Sequence, residues 1–214
     1  MGSDPGEASR SSLPSRVEAV HEIVRAVPGV RGVELAGSGA AGDRTPLSDW
    51  DFELDVEDEG VLDALERALQ RLPALASFWD PLSARANLIV IMDGPIKVDV
   101  IVADLRNPHP VSRWTVTADT LPRIDDHFWD WTLWLGAKQL RGLADLVGTE
   151  LDKMWDALLE PMGARRPPRS IAEAVGAYTV ARGERERELG VRLDHHLEHQ
   201  VRGALVEHGL VARN

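Results

Sequence analysis

Residues 32–56 read GVELAGSGAAGDRTPLSDWDFELDV. A hydrophobic run ends in a small-residue turn at Gly37-Ser38, polar residues follow, and a second hydrophobic run opens on Ser48-Asp49-Trp50-Asp51. In an extended strand, residues two apart project to one face. Asp49 and Asp51 are therefore expected to point together, with Trp50 and Phe52 on the other side. Two carboxylates held that close repel unless a cation sits between them, and Mg²⁺ is the usual one. Glycines upstream let the backbone approach a polyanion and turn N–H groups toward it. A phosphate cradle followed by a divalent-metal clamp is the equipment of nucleotidyl transfer.

Working outward, 30–36 reads as a strand, and 15–27 before it as a helix capped by Ser15, with Val17, Val20, Ile23, Val24 and Val27 at helical spacing. The second hydrophobic run gives a strand over 49–56. Residues 60–72 carry Val61, Leu62, Leu65 and Leu69 on one helical face and stop at Pro73. Short strands are expected at 75–79 and 87–92. Asp93-Gly94 is a hairpin signal, and 96–103 is the return strand. Asp99 stands in the middle of that aliphatic strand, where an isolated carboxylate costs several kcal/mol unless it is paired or metal-bound. Asp99 joining Asp49 and Asp51 on a neighbouring strand makes a three-carboxylate, two-metal site. A structural ion pair to Lys97 or Arg106 is the competing reading.

Beyond residue 125 the texture changes to helix: 125–141, 143–160, 170–182 and 184–208, separated by Gly142, a cluster at Pro161, Gly163, Pro167 and Pro168, and Gly183. The division that follows is a disordered tail at 1–14, a catalytic domain at 15–108 and a helical domain at 109–214. The fold class expected is α+β, a mixed sheet flanked by helices and followed by an all-helical bundle.

Composition narrows the partners. With 214 residues, 43% of them hydrophobic and 28% charged, the chain can bury a sizeable core. No cysteine is present, which excludes disulfides and thiolate chemistry and suits a cytoplasmic protein. No run is long and apolar enough to span a bilayer, and the polar start carries no signal-peptide pattern. Asp and Glu outnumber Lys and Arg by 35 to 24, a net charge of −11. That argues against a long nucleic-acid acceptor and is compatible with a cationic small molecule.

Gly37-Ser38, the loop to Asp49-x-Asp51 and the later strand residue Asp99 together resemble the nucleotidyltransferase superfamily with the DNA polymerase β-like core. The run Pro46-Leu47-Ser48-Asp49-Trp50-Asp51 resembles its antibiotic-modifying branch, the aminoglycoside and lincosamide enzymes. Trp50 stands where that family usually has Ile, Leu or Val, and Gly39 and Gly42 are additional. The resemblance covers roughly 30–103 by motif and the remainder by architecture. It implies that Gly37, Ser38 and Ser48 hold the triphosphate of ATP or another NTP, that Asp49, Asp51 and Asp99 bind two Mg²⁺ ions, and that Lys138 on a later helix reaches a phosphate. Asp99 or a separate acid acts as general base, with Glu53 nearest along the strand and Asp125 and Asp126 as rivals. The activity implied is transfer of AMP to a hydroxyl of a small molecule, best an aminoglycoside-type antibiotic. A protein-adenylylating enzyme and a catalytically dead binding module are the alternatives.

Phe128, Trp129, Trp131 and Trp134 read first as core, with stacking on a flat or cationic ligand second. His195, His196 and His199 have a spacing that can bind zinc, but no Glu stands in the zincin position, and a solvated helix face is the reading.

Overall fold

A computed structural model describes residues 13–37 and 44–213. A five-stranded mixed sheet has the order β1-β2-β5-β4-β3. Its strands are β1 (Val30–Ala36), β2 (Trp50–Val56), β3 (Ala76–Trp79), β4 (Arg85–Met92) and β5 (Ile96–Arg106). β2 and β5 run parallel, and every other neighbouring pair is antiparallel. The Asp93-Gly94 turn joins β4 to β5 as the sequence predicts, with Gly94 at φ +110°.

One face of the sheet is aliphatic. Phe52 and Leu54 of β2, Leu88 and Val90 of β4, and Val98, Val100 and Val102 of β5 pack against α1 (Ser15–Arg25) and α2 (Val61–Leu69). Those helices supply Val17, Val20 and Val24, and Val61, Leu65 and Leu69, the stripes legible in the sequence. Fully burying each such side chain contributes roughly 1.5–3 kcal/mol. Leu13, in the span expected to be a disordered tail, packs on this core; the rest of that tail, residues 1–12, lies outside the described residues.

The other face carries the residues between: Asp51 and Glu53 on β2, Asn87, Ile89 and Ile91 on β4, Lys97 and Asp99 on β5. Ile89 and Ile91 join a second core made mostly by the helical half. That half comprises α3 (Leu121–Leu140), α4 (Ala144–Met154), α5 (Ile171–Leu189) and α6 (His196–Glu207). α4 continues through a π-helical turn, Trp155–Leu159, into a last α turn, Glu160–Met162, that ends on Gly163 at φ +98°. Among the described residues, no helix is long and apolar enough to cross a membrane.

Three expected helix boundaries differ. α3 starts at Leu121 rather than 125, because Pro122 sits in the first turn, where its missing N–H costs nothing. α5 runs through Gly183 and stops at Gly190, whose φ of +67° supplies the left-handed cap. The last helix starts at His196, not 184, so His195 falls at its N-cap.

A buried polar network binds the helical half. Tyr178 donates to Asp125 at 2.8 Å, Arg182 pairs with Asp125 at 3.2 Å and with Glu198 at 2.7 Å, and His195 lies 2.8 Å from Glu198. Hydrogen bonds from His195 and Arg182 outweigh burial and lower the pKa of Glu198.

Candidate active site

The parallel register between β2 and β5 sets Asp51 directly beside Asp99. Adjacent strands lie about 4.8 Å apart, so residues paired on one face bring their carboxylates together. Asp49 enters from the turn before β2. That turn is closed by Thr45 N–H donating to Ser48 Oγ at 2.8 Å and Ser48 N–H donating to the Thr45 carbonyl at 3.1 Å. Arg44 braces it by donating to the Ser48 and Asp49 carbonyls at 2.7 and 2.6 Å, with its guanidinium 3.5 Å above the Trp50 ring. Trp50 thus serves as a platform for an arginine. The outcome is that ligand oxygens of Asp49, Asp51 and Asp99 all lie within 4.8 Å of one another.

The electrostatics agree with the crowding. Burial, then the charges of Asp49 and Asp99, push Asp51 up to about 7, against Lys97 and Lys138. Burial also raises Asp99 to about 6, with Lys97 opposing. Three hard oxygen donors crowded together, with burial and neighbouring charge holding Asp51 and Asp99 high, are a donor set suited to a hard divalent cation. Gly37 has φ +60°, and a Cβ there would overlap the Asp51 carboxylate. Its place in the motif therefore rests on the close approach of that ligand.

Both readings of Asp99 coexist. It meets the other two aspartates, and it also lies 3.5 Å from Lys97 Nζ and accepts from Asn87 Nδ2 at 3.4 Å. Lys97 reaches on to Asp130 of α3 at 2.7 Å, both side chains 6% exposed. Burial works against the Lys97 charge, but Asp130, Asp99 and Asp49 together outweigh it and hold the ammonium protonated. Burial likewise raises Asp130 to about 7 even with Lys97 against it.

Other expected residues have more varied positions. Lys138 is half-buried, 4.7 Å above the Trp134 ring, and its charge acts on Asp51. Ser48 is buried with its hydroxyl engaged by Thr45. Ser38, Gly39 and Gly42 lie outside the described residues. Glu53 is further along β2, its side chain 47% exposed and 3.8 Å from Arg85. Asp125 is committed to Tyr178 and Arg182. Burial and the charges of Asp125 and Asp130 raise Asp126 to about 7. Trp129 and Trp131 are buried in the core, Trp134 packs against it, and Trp131 and Trp134 also line a cleft.

That cleft, of about 630 Å³, opens between the sheet and α3, α4 and the π-helical turn. Asp99 and Lys97 line it, and Asp99 is shared with the aspartate cluster. Its wall carries five carboxylates, Asp80, Asp99, Asp130, Glu150 and Asp156, against three cations, Lys97, Arg113 and Lys153. Lys153 is spent on Glu150 at 2.6 Å, and Arg113 pairs with Glu160 outside the cleft. The space facing the aspartates is therefore acidic and part-aromatic. Lys97, which the sequence offered only as an ion-pair partner for Asp99, completes it together with Asp130 and His127, which sequence reasoning missed. An ionisable residue within an aliphatic strand was the available signal for Lys97.

No protein-family profile matches the sequence, and comparison with curated proteins finds no match. Solved structures do match. One is the crystal structure of an aminoglycoside 6-adenyltransferase from Bacillus subtilis, at 10% identity and a TM-score of 0.31, covering 89% of this chain and 97% of that one.

Proposed function

We propose that this protein is a Mg²⁺-dependent nucleotidyltransferase that moves a nucleoside monophosphate, AMP from ATP in the first instance, to a hydroxyl of a small molecule. The observation that carries this reading is the meeting of Asp49, Asp51 and Asp99 within 4.8 Å beside an acid-lined cleft. In the reaction, the acceptor hydroxyl gives its proton to a carboxylate base, Asp99 in the first instance, its oxygen bonds to the α-phosphorus, the bond from that phosphorus to the β-phosphate bridge breaks, and pyrophosphate leaves. The three aspartates would hold the divalent ions; bound there, Mg²⁺ supplies positive charge to the triphosphate and lowers the pKa of the attacking hydroxyl. Gly37 keeps the backbone close to Asp51, and Lys138 stands ready for a phosphate oxygen. Residues 15–108 act as the catalytic unit, and 109–214 supply much of the acceptor wall.

The excess of carboxylates in the cleft favours a cationic acceptor, and an aminoglycoside-type antibiotic is our first choice. The net charge of −11 argues against long nucleic acid. A cytoplasmic setting belongs to this reading, as nucleoside triphosphate is found there.

The test is incubation with α-labelled NTPs, Mg²⁺ and a panel of aminoglycosides, lincosamides and proteins. The expected result is a labelled small-molecule acceptor with matching pyrophosphate, abolished by EDTA and by Asp51→Asn. Label on a protein would replace the acceptor class. No transfer, together with no metal-dependent nucleotide binding, would overturn the enzyme reading.

A further inference from the structure

α3 turns one stripe toward the cleft: His127, Asp130, Trp131 and Trp134, three and four residues apart. His127 is 2% exposed, yet it lines the cleft. Its Nδ1 lies 3.2 Å from Trp114 Nε1. An indole N–H only donates, so Nδ1 must offer a lone pair. Burial pushes the imidazole down to about 4, so the ring is neutral at physiological pH and carries a single proton. With Nδ1 bare, that proton is on Nε2. Among the described residues, no hydrogen bond is made to Nε2.

The donor is also held in direction. Trp131 stacks on the imidazole with centroids 5.3 Å apart and planes at 13°. Phe78 meets it edge-on at 6.4 Å. Trp114 is fixed by its own backbone, whose N–H donates to the Ala157 carbonyl at 2.9 Å, and Arg113 beside it donates to the Asp156 carbonyl, also at 2.9 Å. Both carbonyls belong to the π-helical turn, a departure from α geometry often found where a helix serves a site. A histidine kept merely to fill space needs neither a fixed tautomer nor an N–H left open beside a polar cleft.

We propose that His127 is a specificity-determining residue whose Nε2–H donates to a hydroxyl or ether oxygen of the acceptor. The acceptor class is a polyhydroxylated ring that places oxygen, not an amine, opposite His127. A protonated amine there would set N–H against N–H, while the same amine is favoured beside Asp130. His127 thereby sorts ring substituents that the carboxylates alone would accept in either orientation. This inference rests on taking the cleft as the acceptor site of the proposed transferase.

The experiment uses the full-length protein, ¹⁵N-labelled, with glucosamine as the probe, read in long-range imidazole spectra. In the free protein, Nε2 of His127 should be protonated and Nδ1 bare. Glucosamine should shift Nε2–H and leave Trp114 Nε1–H in place. His127→Phe should weaken glucosamine binding about tenfold, the loss of one hydrogen bond, and His127→Gln, which restores an amide N–H, should recover most of it. Trp114→Phe frees the tautomer without emptying the His127 position and should also weaken binding. A proton on Nδ1, an unmoved Nε2–H at the highest soluble glucosamine, or equal binding by the Phe and Gln variants would overturn the proposal. Mn²⁺-dependent binding of a non-hydrolysable ATP analogue, measured in parallel, separates the two failures: retained, only the role of His127 falls; absent, the transferase reading falls with it.

Discussion

Replacing Lys97 by methionine keeps the stem that fills the space between β5 and α3 and deletes the charge. Lys97 Nζ lies 2.7 Å from Asp130, which at an effective dielectric of about 20 is ~6 kcal/mol of attraction. Desolvating both ions opposes most of that gain, so the intact pair contributes little net stability. Removing one partner is different, because Asp130 and Asp99 then remain buried without their cation. That loss is about 3–5 kcal/mol, or a fall in Tm of roughly 6–20 °C for a chain this long. The loss should depend on pH. Asp130 and Asp99 have folded-state pKa values raised to about 7 and about 6, and without Lys97 they rise further. A carboxyl raised on folding destabilises the fold above its folded pKa and ceases to do so as pH falls toward its unfolded value. Lys97→Met should therefore be most damaged near pH 8 and recover toward wild type near pH 5. Lys97→Met with Asp130→Leu should be closer to wild type than either single change. The assay is thermal unfolding without metal from pH 5 to 8. A Lys97→Met protein with wild-type Tm throughout, or a deficit that does not vary with pH, would refute the buried ion pair as described.

Other expectations concern the aspartate cluster. Asp51 at about 7 and Asp99 at about 6 must ionise to bind a cation, so Mn²⁺ affinity by calorimetry should rise from pH 5.5 to pH 8, and a flat profile would contradict the site. In EDTA at pH 8, Asp51→Asn should raise Tm by a few degrees, since it removes a charge repelled by Asp49 and Asp99; a lower Tm would count against that repulsion. Gly37→Ala should displace the Asp51 carboxylate and weaken Mn²⁺ binding about tenfold or more, with about 1–3 kcal/mol lost to alanine at a left-handed φ. Unchanged Mn²⁺ affinity in that variant would remove the reason given for the glycine.

The strands and the three aspartates were legible because a strand alternates with period two, so a polar residue among aliphatics reveals its face. Asp99 among Val98, Val100 and Val102 is such a residue. Lys97 obeyed the same rule, but only the contact between β5 and α3 reveals that its partner is Asp130. Gly183 misled as a helix stop because a mid-helix glycine costs only about 1 kcal/mol. The network of Arg182 with Asp125 and Glu198 holds that turn in register. The tautomer of His127 was invisible for a related reason: it depends on Trp114, which arrives from a loop with no periodicity.

The most direct test is crystallographic. Crystals grown with Mn²⁺ and a non-hydrolysable ATP analogue should show an anomalous peak among the carboxylates of Asp49, Asp51 and Asp99, with the triphosphate against it. An ordered cluster with no such peak, the nucleotide absent or bound elsewhere, would contradict the account.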